Sequence, residues 1–86
     1  MTQNSKEKHI RLWTPATYRI EVEGHLDESR SDRLAGMRIT ARKRPDQTFV
    51  TTLIGRIRDQ AELSGVLNSL YDLHLSILKV EMVNGE

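Results

Sequence analysis

The chain has 86 residues and a formal net charge of +1, and 37% of its residues are hydrophobic and 29% charged. This length suits one small domain with a modest core, and a net charge so close to zero does not demand a polyanionic partner. The absence of cysteine excludes disulfide bonds, a cysteine nucleophile and a thiolate metal site.

The first nine residues, MTQNSKEKH, are polar and contain no apolar segment of the kind found in signal peptides. No apolar run approaches the ~20 residues that a membrane-spanning helix needs, so we expect no membrane contact. The absence of cysteine is compatible with the cytosol, and we expect a cytoplasmic protein. Residues 1–16 are predicted to form a flexible arm, and residues 17–84 a single α/β domain. The only tryptophan, Trp13, lies in this arm. It can dock on the domain or contact a partner, and docking is favoured because Pro15 begins a strand directly after it.

Two stretches in the first half, TYRIEVEG and GMRITARKR, alternate apolar and polar residues, which predicts two half-exposed strands. Between them lies a polar connection in which Asp27 or Ser29 can cap a short helical turn that stops at Gly36. A turn at RPDQ leads into TFVTTLIG, the second arm of a hairpin. The side chains expected to point inward from the first two strands are Tyr18, Ile20, Val22, Met37, Ile39 and Ala41.

The stretch DQAELSGVLNSLYDLH has the period of an amphipathic helix. Asp59 is expected to cap it, and Glu62 is placed to complete a variant of the capping box. Gly65 within the helix suggests close approach to the sheet. The apolar stripe consists of Leu63, Val66, Leu67, Leu70 and Tyr71. The segment LSILKVEMV then predicts a last strand, with Leu78, Val80 and Met82 pointing inward.

The predicted order is therefore strand, short helical connection, strand, strand, helix, strand. This order is typical of an α+β fold in which a four-stranded, mainly antiparallel sheet carries a helical layer on one face, a reduced ferredoxin-like sandwich. The helix before the last strand is expected to be a right-handed crossover. We therefore interpret the arginine pair at its start, Arg56 and Arg58, as part of a crossover helix and not as a nucleic-acid reading element.

The second arm of the hairpin has bulky apolar residues on both of its faces, which is typical of a strand covered on both sides. If one face packs under the helix, the other needs a cover. The cover can be the N-terminal arm, a second copy of the chain or another protein, and a symmetric dimer lets one patch cover itself. The sequence thus predicts a non-enzymatic interaction or regulatory module that self-associates. The candidate interface residues are Trp13, Phe49, Val50, Ile54 and Ile77.

A second hypothesis is polyanion or nucleic-acid binding through a basic hairpin tip. The candidate residues are Arg42, Lys43 and Arg44, helped by Arg30 and Arg33. Such a surface needs concentrated cations and preferably exposed aromatic rings. Acidic residues are expected on the same outward sheet face, so a charge-balanced solvated face is favoured and nucleic acid is not the expected partner. Those acidic residues are Glu21, Glu23 and Glu81.

The polar stretch HLDESRSD is the remaining candidate for chemistry. His25 and Asp27, with nearby carboxylates, could bind a divalent metal. No recognised ligand spacing is present, and the flanking arginines oppose a cation, so an ordinary surface loop is favoured. Ser29 and Ser31 lack the framing of a nucleophile elbow, and the scattered glycines form no phosphate loop. We expect no catalytic residues, no metal and no cofactor.

Several segments resemble a family of small, uncharacterised bacterial proteins. The matching pieces are IEVEGHLDE, GMRIT, TTLIGRIRDQAELSGVLNSLYDL and LSILKV. In that family the pattern is G-H/R-L, then G-M/L-x-I, then T-x-L-x-G-x-x-x-D-Q-A-x-L, then D-L-x-L. The resemblance implies a bacterial cytosolic protein and no known activity. The chain departs from the pattern at Arg30 and Arg33, where relatives often carry aromatic residues, and at His74, where some relatives are expected to carry glycine.

Overall fold

The computed structural model describes residues 15–85 of the chain, and the side chains of residues 15–83. Trp13 and the rest of the predicted arm before Pro15 lie outside the described residues. The elements in chain order are strand β1 (Ala16–Glu23), the 3-10 helix η1 (Glu28–Leu34), β2 (Arg38–Lys43), β3 (Phe49–Ile57), helix α1 (Gln60–Asp72) and β4 (Ser76–Gly85). This order agrees with the predicted one.

The four strands form one sheet in the order β2-β3-β1-β4, and every pair of neighbours is antiparallel. The α+β fold with its helical layer on one face is thereby confirmed. The element order is that of the ferredoxin-like sandwich, with the first helix reduced to η1. Strands β2 and β4 are the two edges of the sheet. Within the described residues, no helix is both long and apolar enough to cross a membrane.

The register of the strands separates an inner face, which packs under the helices, from an outer face. Ile20 of β1 lies opposite Leu53 of β3, and Leu53 lies opposite Ile39 of β2. All three side chains are buried, so the alternation of β1 and β2 predicted the inner face correctly. The core cluster consists of Ile20, Val22, Leu26, Leu34, Met37, Ile39, Leu53, Ile57, Leu63, Val66 and Leu70.

Side-chain caps begin both helices where the sequence placed them. Asp27, and not Ser29, caps η1, because its Oδ1 accepts the backbone N–H of Ser29 at 3.0 Å. Asp59 caps α1 by accepting the backbone N–H of Glu62 at 2.9 Å. The Glu62 carboxylate accepts the backbone N–H of Arg58 at 2.8 Å, which completes the variant capping box.

The end of α1 is a Schellman motif with histidine in the position that usually holds glycine. Leu75 donates its backbone N–H to the carbonyl of Leu70, and His74 donates to Tyr71. His74 has a φ of 62°, in the left-handed region that favours glycine. The helix therefore ends where the sequence predicted, near residues 73–74.

Two predictions about α1 were wrong. Tyr71 is 75% exposed and lies outside the buried part of the apolar stripe, which is formed by Leu63, Val66 and Leu70. Gly65 is exposed, and a Cβ placed on it would meet no atom within 4 Å. A close approach to another part of the backbone occurs instead at Gly55, where a Cβ would lie 3.0 Å from Cα and Cγ of Met37.

The prediction that Leu78, Val80 and Met82 point inward was correct for the face of Val80 and Met82, but none of the three side chains is buried. Val80 and Met82 lie opposite Ile20 and Tyr18, which belong to the inner face of the sheet, but the helices do not cover them. Leu78 is the extra residue at a register shift between β1 and β4. Ile77, which lies before the shift, packs against the core cluster and is partly buried.

Candidate functional site

The edge strand β4 carries the exposed apolar surface of the domain. Leu78, Val80, Met82 and Val83 are between 40% and 47% exposed, and we call these four residues the β4 strip. Within residues 15–85, β4 pairs only with β1, so the backbone groups along its other side meet no strand. An edge strand with exposed apolar side chains is a ready template for another strand.

Two register shifts divide β4 and leave a regular segment in its middle. One shift falls opposite Thr17 and Tyr18, and the other opposite Glu21 and Val22. Between them, residues 79–82 pair in sequence with residues 18–21. Such bulges bend a strand and restrict the length over which it can pair, so the middle segment is the part of the edge best shaped to receive another strand.

Charged side chains cover the outer face of this middle segment. The Arg19 guanidinium donates to the Glu81 carboxylate at 2.8 Å, and the Lys79 Nζ lies 3.5 Å from the other oxygen of Glu81. Lys79 lies opposite Glu21 of β1. The segment is thus apolar on its inner face and carries balanced charges on its outer face.

The second apolar face predicted for β3 exists, but the domain itself largely buries it. Val50 and Ile54 lie on the outer face, because the register alternates them with the inner-face residue Leu53. Val50 is only 4% exposed and Ile54 is half-buried. The cross-strand neighbours of Val50 are the long side chains of Arg42 and Glu23. The expectation of an open apolar patch around Val50 is therefore wrong.

Two further interface candidates have partners inside the domain. The ring of Phe49 meets the ring of His25 edge-on, with centroids 5.0 Å apart, and the Lys43 Nζ lies 6.0 Å from the Phe49 centroid. Ile77 packs on the inner face and cannot extend a patch on the outer face. The exposed apolar side chains of the sheet lie on β4, at residues that were not among the predicted interface candidates.

The hairpin tip between β2 and β3 is held by its own polar contacts. Arg44 donates to the Glu23 carboxylate at 2.6 Å and to Thr48 Oγ1 at 2.9 Å. The Asp46 carboxylate accepts from the hydroxyl and the backbone N–H of Thr48. These hydrogen bonds hold the pKa of Asp46 below its ordinary value. Gln47, with a φ of 76°, completes the turn.

The predicted polyanion residues lie in two layers of the molecule. Arg42 lies on the outer face of the sheet by register, and Arg44 is already paired with Glu23. Arg30 and Arg33 belong to η1, in the helical layer. They line a cavity of about 190 Å³ that also contains Asp72, beside the carbonyl end of α1. A helix C-terminus and a carboxylate attract arginine, so this arrangement is understood without an anionic ligand.

The loop that was considered for metal binding has structural contacts. Asp27 caps η1, and His25 contacts Phe49. Within the described residues, no group of three or more histidine, aspartate or glutamate side chains could hold a metal ion. A wider groove of about 920 Å³ runs along the end of α1 and the start of β4. It is lined by Tyr71, Asp72, His74, Leu75, Ser76 and Ile77.

One buried polar residue, Thr51, was not singled out by the sequence reasoning. Its hydroxyl donates to the carbonyl of Gly24 at 2.6 Å and accepts the backbone N–H of Leu26 at 3.1 Å. The contacts tie β3 to the connection that follows β1. A threonine at an inward position of a strand is the signal that could have indicated this role, because a buried hydroxyl needs a partner.

Residues 17–81 match a family model described as a domain of unknown function, DUF8691. The chain belongs to the DUF8691 family. The resemblance to an uncharacterised family is thereby confirmed at the level of the family, and the matched region runs from β1 into the middle segment of β4. No curated protein and no solved structure gave a significant match to this DUF8691 protein.

Proposed function

We propose that this DUF8691 protein is a non-enzymatic, cytoplasmic interaction module that forms a homodimer through the edge of β4. The observation that carries the proposal is the β4 strip on an edge with no strand beside it in the described residues. An edge strand offers backbone hydrogen bonds to an added strand, and its side chains supply the contacts that select the partner. The second copy is the favoured partner because a two-fold axis lets one edge satisfy itself.

The size of the domain adds a reason to associate. Small domains bury a smaller fraction of their surface than large ones, so their net stability is modest. Val80 and Met82 already lie on the inner face of the sheet, next to the core cluster, but stay exposed at its margin. Pairing two β4 edges would bring the margins of two cores together and remove apolar surface from water.

We further infer that the sequence pattern noted above is a family signature of bacterial DUF8691 proteins, because its residues have structural tasks in this chain. Gly24 has a φ of 119°, which side chains rarely allow, and a Cβ there would lie 2.8 Å from the Leu75 side chain. Asp59 caps α1. Gly36, with a φ of 67°, ends the turn after η1. These tasks belong to the fold, which fits a family whose members share a scaffold.

The first test is the solution mass of the full chain, measured by light scattering over a wide concentration range. One chain has a mass of 9.9 kDa, and we expect twice that value. Val80→Lys should give a monomer, because each copy would then carry an additional positive charge on the β4 edge, where the two copies meet. Ser64→Lys is the matched control, since it adds the same charge on the exposed side of α1 and should leave the dimer intact.

Two results would contradict the proposal. The first is a monomeric mass for the unmodified chain at every concentration. The second is a dimer that persists in both Val80→Lys and Met82→Lys, because such a dimer must use another surface.

A further inference from the structure

We propose that the two copies pair β4 antiparallel to β4 with Val80 on the two-fold axis, so that the two four-stranded sheets become one continuous sheet. This inference rests on the proposed dimer and specifies its register. The register follows from the balanced charges of the middle segment, residues 79–82, and from the alternation of side chains along a strand.

In such a symmetric pair of strands, the two-fold axis must pass beside one residue of each strand and cannot pass between two consecutive residues. In an antiparallel pair, directly opposed residues point to the same face of the sheet. A two-fold axis perpendicular to the sheet keeps each residue on its own face. Adjacent residues such as Val80 and Glu81 point to opposite faces, so they cannot lie opposite each other across the axis. One residue must therefore face its own copy.

Charge selects among the four possible centres in the middle segment. Centring on Lys79 would oppose two ammonium groups, and centring on Glu81 would oppose two carboxylates. Centring on Met82 would put both charged residues opposite uncharged ones. Centring on Val80 places Lys79 opposite the partner's Glu81, and Glu81 opposite the partner's Lys79. Opposite charges facing across strands stabilise a sheet, while like charges destabilise it, so the Val80 register is favoured.

The same register also matches the apolar side chains. Val80 meets the partner's Val80, and Leu78 meets the partner's Met82. All of these residues belong to the exposed β4 strip. Leu78 sits at a register shift, so the regular ladder is short on that side. A short, bulge-bounded ladder favours one specific pair over open-ended aggregation.

Disulfide trapping tests this register directly, because the chain contains no native cysteine. Residues that face each other in an antiparallel pair have Cα atoms about 4.5–5.5 Å apart, within the range a disulfide needs. Val80→Cys should therefore form a covalent dimer under mild oxidation. Leu78→Cys is the matched control, because its two copies would lie about 13 Å apart along the strands and should not cross-link. Mixing Leu78→Cys with Met82→Cys should give a covalent heterodimer.

Charge reversal provides a second readout that does not depend on cysteine. Lys79→Glu and Glu81→Lys should each raise the dimer dissociation constant about tenfold or more, since each replaces two attractive pairs with two repulsive ones. An equimolar mixture of the two variants should dimerise like the unmodified chain, because every facing pair is then attractive. Simple damage to the fold, such as loss of the Arg19–Glu81 contact, would not be repaired by mixing.

The outcomes separate this inference from the proposed function. In one outcome, Val80→Lys converts the dimer into a monomer, but neither the Val80→Cys cross-link nor the rescue on mixing is seen. This outcome would support the proposed function and overturn the register. A cross-link in Leu78→Cys alone would also overturn it. A monomeric unmodified chain overturns both, and would mean that another segment or partner takes the β4 edge.

Discussion

The two edges of the sheet, β2 and β4, solve the problem of an open edge differently. Strand β2 is short, and three of its six side chains are cationic: Arg38, Arg42 and Lys43. Strand β4 has ten residues, and it exposes the apolar β4 strip. Charge and short length are the ordinary means of preventing edge-to-edge pairing. Strand β2 carries three like charges that would repel a second β2, whereas the charges of Lys79 and Glu81 on β4 are of opposite sign, so β2 is protected against self-pairing and β4 is not.

The inner face of the sheet is packed more tightly near β2 than near β4. Near β2, the inner face is tightly covered. Met37 is buried, and it lies so close to Gly55 that a Cβ on this glycine would be 3.0 Å from Met37 Cα and Cγ. Near β4, the inner-face residues Val80 and Met82 remain exposed. The helical layer therefore leaves uncovered the side of the sheet where the charges of the edge strand are balanced. Both properties support the proposed pairing through β4.

The largest expected effect comes from removing the charges of β2. A combined Arg38→Thr, Arg42→Thr and Lys43→Thr variant would leave both edges able to pair. A dimer joined through β4 would then expose two open β2 edges, and we expect growth into larger assemblies in sedimentation velocity runs. The control is Arg30→Thr with Arg33→Thr, which removes cations from η1 and should leave the dimer unchanged. A triple variant that stays dimeric would show that charge does not protect β2.

Local side-chain chemistry made most of the fold predictable from the sequence. Asp59 and Asp27 cap helices because a short carboxylate reaches a backbone N–H two or three residues ahead. Alternation gave the faces of β1 and β2, since successive side chains of a strand point to opposite sides. The prediction that β3 carries bulky apolar residues on both faces was right, because Leu53 lies on the inner face and Val50 and Ile54 on the outer face. Each of these inferences depends on residues close together in the chain.

The site was less predictable, because it depends on tertiary arrangement. Alternation cannot reveal the register shifts that make Leu78 an extra residue and turn Ile77 inward. Val80 lies on the inner face but is exposed, because the helical layer does not cover it, and no periodicity in the sequence encodes how far that layer extends. Val50 was expected to be open, but the long side chains of β1 and β2 lie beside it.

The tight cover near β2 can be tested with one added methyl group. Gly55→Ala would place a Cβ 3.0 Å from Met37 Cα and Cγ, closer than van der Waals contact allows. We expect the free energy of unfolding to fall by about 1–3 kcal/mol, the usual cost of overpacking a core. Denaturant titration measures this change. An unchanged midpoint would mean that β2 and β3 separate easily, and that the two sides of the sheet are packed alike.

The smallest expected effect is the same chemical change made where nothing crowds it. Gly65→Ala adds a Cβ on the exposed side of α1, with no atom within 4 Å. Alanine is favoured over glycine inside a helix by about 1 kcal/mol, so the free energy of unfolding should rise by about that amount. The dimer dissociation constant should stay the same, because neither sheet edge is touched. If the free energy of unfolding falls in Gly55→Ala and rises in Gly65→Ala, while the dimer dissociation constant of Gly65→Ala is unchanged, the stability of the fold is independent of the assembly at β4. A weakened dimer in Gly65→Ala would instead place part of the interface on α1.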